Sequence, residues 1–329
     1  MTARIQGNSI RIGQLTLTLQ RTLRIPDDGK SYPLPPGLGA FPLKRVEDCP
    51  NAPKEWRAKG GVLVPMYARE AMWLSFRGPR WRPHAVKVGV GKVCAITGER
   101  WSESLSRKKQ DYIVTPPQPW LDGIATGHGT IRQFVATQMG RGHTVEGQVT
   151  GREEVGGLQL KIFAGKASRF PEPPPPPRCR TRAGGGPPVP RAAPCAPAAP
   201  GAAMGLGAGG RMVQTIHRDP HGVDAYEVRG TRLFIHLVDA LRWRELTGAE
   251  PPSTPISAAT YAQHGLPWFE LQDQHAPAVE PSATLQSVKS LGELDAEELG
   301  DHATVDAIDP PPVVKLPYPM PGAITDGEW

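Results

Sequence analysis

Alternating apolar and polar positions are the strongest pattern in the first half of the chain. Within residues 10–25, leucine occupies every second position at Leu15, Leu17 and Leu19, and polar residues occupy the positions between them. A period of two is typical of a strand that buries one face. This segment is therefore predicted to be a half-buried strand.

Further strands are predicted at short intervals, separated by turns rich in Gly and Pro. They cover Val62–Met66, 69–76, a hairpin within 84–101, 112–115, 131–138 and a pair within 144–165. Residues 69–76 also fit helical spacing, but Gly78-Pro79 ends the segment sharply and favours a strand. Many short strands with such turns are typical of sandwiches and barrels. Residues 1–167 are therefore expected to form an antiparallel β-sandwich-like domain.

The second half contains the patterns that favour helices. Residues 231–248 carry an apolar stripe that includes Leu233, Leu237 and Leu241, and Gly248 suits a helix C-terminus. A second helix is predicted over 256–264, because Thr254 is a possible N-cap. Residues 204–272 are therefore expected to form a small α+β block, which gives a mainly β protein that is α+β overall.

A break in composition separates the two halves. From 170 to 210 almost every residue is Pro, Gly, Ala or Arg, and such a segment cannot bury enough apolar surface to offset its ordering entropy. Residues 168–203 are predicted to be a disordered linker. The same enrichment is what a shifted reading frame of a GC-rich gene produces, so residues 178–203 have that second interpretation.

The charge distribution divides the chain again near its end. The net charge is +6, yet the segment from 281 onward holds nine acidic and two basic residues. Residues 273–329 are predicted to be an acidic, largely disordered tail. Basic residues elsewhere are scattered, which argues against nucleic acid as the partner. Nucleic-acid binding would require one continuous patch formed by Arg69, Arg77, Arg80, Arg82, Arg132 and Arg141.

The N-terminus and the cysteines bear on location. The chain begins without the apolar stretch of a signal peptide, and its apolar runs are well short of the roughly 18–20 residues that span a bilayer. Its four cysteines form neither a CxxC pair nor a disulfide framework. These features predict a soluble, cytoplasmic protein with reduced thiols and no membrane partner.

One glycine-rich string matches a cofactor motif. Residues 205–210 read Gly-Leu-Gly-Ala-Gly-Gly, a G-x-G-x-x-G pattern. A dinucleotide site needs this string between a buried strand and a helix. Here a Pro/Ala-rich segment precedes it and no clear helix follows. We expect no cofactor, and glycines that allow close backbone packing instead.

Two histidines have the spacing of metal ligands. His217 and His221 form H-x3-H, which on a helix places both rings on one face. The Asp219-Pro220 pair between them favours a turn, and Cys179 and Cys195 lie in the Pro-rich linker. His217 and His221 are the candidate ligands, and no metal is expected.

A possible acid–base group lies between residues 143 and 154. His143, Glu146 and Glu154 carry side chains that can transfer protons. Arg152 lies beside Glu154 in a Gly-flanked turn, which is equally typical of exposed charge. The chain contains no G-x-S-x-G, and no cysteine has a recognisable histidine partner. A hydrolase-like enzyme at this position is the alternative prediction.

Eight tryptophans raise the question of a stacking ligand. Trp81, Trp101 and Trp120 lie in segments flanked by Pro or Gly, so they are the candidates for ligand contact. Tryptophan in a β domain otherwise serves as a core or loop anchor.

Several segments together resemble a family of uncharacterised bacterial proteins. They are GVLVPMYAREAMWLSFRG, QDYIVTPPQPWLDG, IRQFVATQMGRGHTVEGQVTG, EEVGGLQL, MGLGAGGRM and HGLPWFEL. The resemblance covers most of 1–170 and 204–290. That family has no assigned activity, so the resemblance implies organisation only, with 204–212 opening the second folded block.

Taken together, the residues favour a non-enzymatic binding or protein-interaction module. Its partner would be an unidentified protein or a small-molecule ligand, bound by loops at one end of the sandwich. An enzyme near His143 is the alternative. Nucleic-acid or carbohydrate binding ranks below both.

Overall fold

Strands dominate the regular structure of the chain. The computed structural model describes residues 2–173, 203–264, 266–271, 277–300 and 313–316. The strands in these residues are β1 Ala3–Gln6, β2 Ser9–Ile12, β3 Leu15–Thr22, β4 Ser31–Tyr32, β5 Gly37–Ala40, β6 Lys44–Arg45, β7 Val62–Met66, β8 Ala71–Arg77, β9 His84–Val90, β10 Val93–Cys94, β11 Ile113–Thr115, β12 Trp120–Leu121, β13 Gly123–Gly127, β14 Thr130–Gln138, β15 Leu158–Ala164, β16 Ala203–Val213, β17 Thr231–Asp239, β18 Trp268–Leu271 and β19 Val313–Leu316. The helices are α1 Lys54–Lys59, α2 Val145–Thr150, α3 Ala240–Thr247, α4 Ala258–Gln263, α5 Ala283–Gln286 and α6 Leu291–Leu299.

Strands β1 to β17 form one large sheet with mainly antiparallel pairing. Its main ladder runs from β2 through β3, β8, β14 and β16, and continues through β17 and β15 to β9. The pairs β16–β4 and β17–β7 are parallel. Strands β18 and β19 form a separate, small parallel sheet. The mainly β class is thus confirmed, and the sandwich-like arrangement stays a prediction.

The large sheet continues across the predicted boundary between the two halves. Strands β16 and β17 pair with β14 and β15 of the first half. One cluster of buried side chains includes Leu17, Val88 and Phe134 together with Leu206 and Ile235 from beyond the boundary. Both halves therefore contribute to the same core. The predicted linker lies mostly outside the described residues, in 174–202.

The predicted helix over 231–248 is wrong for its first half, which is β17. Leu233, Ile235 and Leu237 are buried, whereas Arg232 is exposed and Phe234 is half-buried. Burial alternates as far as Ile235, and pairing with β15 and β7 makes the segment a strand. The helix begins only at Ala240 as α3, where the Asp239 side chain accepts from the Leu241 amide. It ends at Gly248, as predicted.

The pair of strands predicted within 144–165 is also wrong in its first member. Residues Val145–Thr150 form α2, because the Thr144 side chain caps the helix by accepting from the Gly147 amide. Gly151 ends α2 in the left-handed conformation. Only Leu158–Ala164 is a strand, β15.

The remaining helices are short. The second predicted helix is confirmed as α4, although Ser257 and not Thr254 caps it. Within the described ranges, no helix is long and apolar enough to cross a membrane.

The glycine-rich motif lies inside strand β16 and does not form a phosphate-binding turn. Residues 204–210 are buried, and a Cβ at Gly207 would come within 2.7 Å of Leu291. A Cβ at Gly210 would lie 2.4 Å from the carbonyl oxygen of Pro26. The glycines therefore let neighbouring chain segments approach the strand closely, as expected from the sequence.

Gly210→Ala should lower the free energy of unfolding by about 2 kcal/mol, because overpacking against a backbone carbonyl forces the chain to shift. Gly127→Ala is the matched control, since its Cβ would meet only Thr130 at 3.3 Å. Urea unfolding of both variants measures the difference. Equal losses would contradict the packing explanation.

Residues 277–300 differ from the expected tail, because they form two helices against the large sheet. Leu285, Val288 and Leu291 are buried there. Ser290 and Glu293 form a reciprocal capping box at the start of α6, which fixes this helix end despite the acidic composition.

Candidate functional site

The three predicted acid–base residues each have separate side-chain surroundings. His143 is buried, and its Nε2 lies 2.7 Å from Oε1 of Glu298 on α6. Glu154 is exposed and lies beside Arg152 at 3.5 Å. Among the described residues, no hydrogen bond joins the side chains of His143, Glu146 and Glu154. The structure therefore does not assemble them into one acid–base group.

Glu146 is buried and holds a loop. Its carboxylate accepts from the backbone amides of Glu154, Val155 and Gly156 at 3.0, 2.8 and 2.8 Å. Three converging amides form a cradle for an anion, and here the anion belongs to the chain itself. The carboxylate of Glu146 is thus occupied by a structural role.

Glu153 has a similar role in the preceding loop. It accepts from the Thr144 hydroxyl at 2.6 Å and from the amides of Thr144 and Gly140. Burial opposes ionisation, but these hydrogen bonds hold the pKa of Glu153 below its usual range. The carboxylates of this region therefore stabilise its loops.

The two histidines with metal-ligand spacing do not face a common site. His217 is buried, with its backbone amide donating to the Gln118 side chain at 3.0 Å. His221 is exposed and packs edge-on against Phe170. In the part of the chain that the structure describes, no group of three or more His, Cys, Asp or Glu could hold a metal ion. Cys179 and Cys195 lie outside it.

Two of the three tryptophan candidates, Trp81 and Trp120, do not line the groove that contains Trp101. Trp120 is half-buried in β12, and its ring packs edge-on against Trp73 at 6.2 Å. Trp81 is half-buried in the turn after β8. Both positions fit the anchor role that tryptophan commonly has in β proteins.

Acidic residues of α6 neutralise half of the arginines proposed for a nucleic-acid patch. The three ion pairs are Arg69–Asp295, Arg132–Glu293 and Arg141–Glu298. Arg82 donates to the carbonyl oxygen of Gly165 at 2.8 Å. The chain itself therefore supplies carboxylate partners for three of these six arginines.

Trp101, the third candidate, lines a groove of about 690 Å³. Gln159 on β15 and Phe234 on β17 also line it. Further lining residues come from β1, from the end of α1 and the start of β7, from Lys92, and from Glu103. We call this feature the β15–β17 groove.

The position of Trp101 depends on a glycine beneath its ring. A Cβ at Gly89 of β9 would lie 2.7 Å from the ring, so only glycine allows this close approach. Trp101 Nε1 donates to Glu103 at 3.0 Å. The ammonium groups of Lys87 and Lys92 lie 5.6 and 5.5 Å from the ring centroid, within the range of cation–π attraction. The ring is thus fixed from several sides.

A buried ion pair holds the segment that follows Trp101. Lys87 is 1% exposed, and its Nζ donates to Asp111 Oδ2 at 2.5 Å. The same Nζ donates to the Ser102 hydroxyl at 2.6 Å and to the Ser104 carbonyl at 2.5 Å. Lys87 therefore ties one wall of the β15–β17 groove to strand β9.

Phe234 is the outermost ring of a three-ring stack. His236 lies 4.3 Å from Phe234 and 4.9 Å from Trp56, with interplanar angles of 26° and 27°. Burial lowers the pKa of His236 to about 4, so its ring is neutral near neutral pH. Its Nε2 donates to the carbonyl oxygen of Gly60 at 2.9 Å. These contacts fix the orientation of Phe234.

Positive charge predominates along the β15–β17 groove. Its basic residues are Arg4, Arg45, Lys59, Lys92 and Arg232, and its acidic residues are Glu47 and Glu103. Lys161 donates to Glu103 at 2.9 Å, and this hydrogen bond lowers the pKa of Glu103. Arg45 is bound to Asp48. Within the described residues, the other four basic side chains have no carboxylate at ion-pair distance.

Sequence reasoning identified Trp101 but missed its surroundings. Phe234, Arg232 and Lys59 carry no motif, and the segment of Phe234 was assigned to a helix. The alternation of Arg232, Phe234 and His236 against Leu233 and Ile235 was the available signal, because it places the first three on one face of a strand.

No protein-family model, curated protein or solved structure matches the chain.

Proposed function

We propose that this protein is a non-enzymatic binding protein whose ligand occupies the β15–β17 groove. One observation carries the proposal: two fixed aromatic rings line the same groove as four basic side chains that have no carboxylate at ion-pair distance among the described residues. Such a combination attracts an anion that also offers a flat apolar face. The sequence alone suggests a binding site on loops at one end of a sandwich, whereas this groove is lined by strand residues as well.

The carboxylates of the groove support binding over acid–base chemistry. Glu103 is held as an anion by Lys161, and Glu47 is exposed and lies 3.4 Å from Arg45. General acid–base catalysis favours a group whose pKa lies near the working pH, and the pKa of Glu103 is shifted away from it. The chemistry that these residues offer is electrostatic attraction and stacking.

The aromatic sulfonate dye anilinonaphthalene sulfonate is a suitable first probe, because it joins flat rings to an anionic group. Trp101→Ala should weaken dye binding about tenfold, the effect of losing one stacking ring. A fluorescence titration of the full chain measures the affinity.

Trp120→Ala is the matched control, since Trp120 is also half-buried but lies outside the groove. Its affinity for the dye should equal that of the unmodified chain. Dye binding that is unchanged in Trp101→Ala, or equally weakened in both variants, would exclude the groove as the site.

A further inference from the structure

We propose that the ligand of the β15–β17 groove is a free nucleotide, an inference that rests on the proposed function. A nucleotide joins a flat base to one or more phosphates. The groove offers a separate partner for each part, and the two kinds of partner lie side by side.

The two rings lie on either side of Gln159. In the sheet, Gln159 pairs with Gly89 on one side and with Phe234 on the other, and the Trp101 ring lies on Gly89. Two strand spacings separate these positions, which is about 10 Å. A ligand that spans about 10 Å across this face of the sheet would therefore contact both rings.

Gln159, between the two rings, is buried and held in place by hydrogen bonds. Its Oε1 accepts from the Lys92 amide at 2.6 Å, and its Nε2 donates to the Gly156 carbonyl at 2.8 Å. These bonds fix the orientation of the amide. The surface between the two rings is therefore rigid.

The basic side chains suit phosphates. Lys59 lies 5.1 Å from the Phe234 centroid, and Lys92 lies 5.5 Å from that of Trp101. A base that stacks on either ring would displace the ammonium from its face. Lysine is a flexible point charge, so the displaced group can move to a phosphate oxygen. Arg232 and Arg4 add two exposed cations at the same groove.

The size of the groove favours a small molecule over a polymer. Its volume of about 690 Å³ lies within the range of small-ligand pockets, roughly 300–1,000 Å³. Three of the arginines that a nucleic-acid patch would require, Arg69, Arg132 and Arg141, are paired with α6 and do not line the groove. We therefore commit to a free nucleotide.

Isothermal titration of the full chain with adenosine diphosphate, adenosine and pyrophosphate tests the proposal. Adenosine diphosphate should bind at least about tenfold more tightly than either fragment, because hydrogen bonds to charged groups and stacking both contribute. The double variant Lys59→Ala/Arg232→Ala should lose about tenfold or more in affinity for adenosine diphosphate but little for adenosine.

The matched control is Lys54→Ala/Arg229→Ala, which removes two exposed charges outside the groove. It should bind like the unmodified chain, and circular dichroism should show that all variants are folded. Equal losses in both double variants would overturn the proposal, as would tighter binding of pyrophosphate than of adenosine diphosphate.

The same titration is repeated with an oligothymidylate, which represents a single-stranded nucleic acid. If it binds through Lys59 and Arg232 while adenosine diphosphate does not, the free nucleotide is overturned in favour of a single strand. If no nucleotide binds but the sulfonate dye binds through Trp101, the nucleotide inference fails and the proposed binding function stands. If the dye also fails to bind, both fail.

Discussion

Lys87→Met is expected to lower the free energy of unfolding by about 3–5 kcal/mol, because it leaves a buried carboxylate without its partner. Lys87 and the Asp111 side chain are 1% and 8% exposed, so water cannot replace the lost ammonium. The hydroxyl of Ser102 and the carbonyl of Ser104 lose the same donor. Chemical denaturation followed by circular dichroism measures the loss.

Two further variants separate the ion pair from general packing. Lys92→Met removes a lysine that contacts the same Trp101 ring without a buried carboxylate, and it should cost less than about 1 kcal/mol. Adding Asp111→Asn to Lys87→Met removes the stranded charge and should recover part of the loss. A double variant that is less stable than Lys87→Met alone would contradict this account.

The stability of this ion pair also matters for the groove. Lys87 connects β9 to the segment that follows Trp101, and Gly89, two residues along the same strand, supports the ring. Successive residues of like parity lie on one face of a strand. The outer face of β9 therefore carries both the electrostatic and the steric support of Trp101.

Strands whose two faces differ were predictable from the sequence. The alternation at Leu15, Leu17 and Leu19 identifies β3, and the side chains of all three are buried as expected. In β3 local pattern and tertiary burial agree, which is the condition under which periodicity is reliable. Strand β9 also lies within the predicted hairpin, although all of its residues are buried.

Segments whose apolar residues fit both a helical and a strand spacing are ambiguous from the sequence alone. In 231–239 the stripe that includes Leu233 and Leu237 fits a helix, and only pairing with β15 and β7 decides the strand. Those partners are distant in sequence, so the deciding interactions are non-local. For α6 a local signal did exist: Ser290 followed three residues later by Glu293 is a capping box.

The candidate site was predictable only at Trp101. Its groove combines residues from Arg4 to Phe234, and no pattern within a short window relates them. The clustered candidates at His143, Glu146 and Glu154 were close in sequence, and that closeness suggested a site. Their contacts show separate partners instead. These three residues are therefore neighbours in sequence whose side chains do not form one site.

Glu146→Gln is expected to lower the free energy of unfolding by about 3 kcal/mol, because hydrogen bonds to a charged group contribute about 1.5–3 kcal/mol each. The carboxylate accepts from three backbone amides, two at Oε1 and one at Oε2. In glutamine an NH2 group replaces one of these oxygens and faces an amide donor. Thermal and urea unfolding measure the loss.

Glu154→Gln is the matched control, since the same chemical change occurs eight residues along at an exposed carboxylate. Its loss should be below about 0.5 kcal/mol, the usual range for surface positions. The pair of variants also bears on the enzyme alternative. If Glu146 has a structural role, the two variants should differ greatly in stability. If it were catalytic and did not hold the loop, the two variants should be equally stable.

The loop that Glu146 holds also reaches the β15–β17 groove, because Val155 donates its amide to Glu146 and lines the groove. Glu146→Gln should therefore weaken binding of the sulfonate dye, and Glu154→Gln should not.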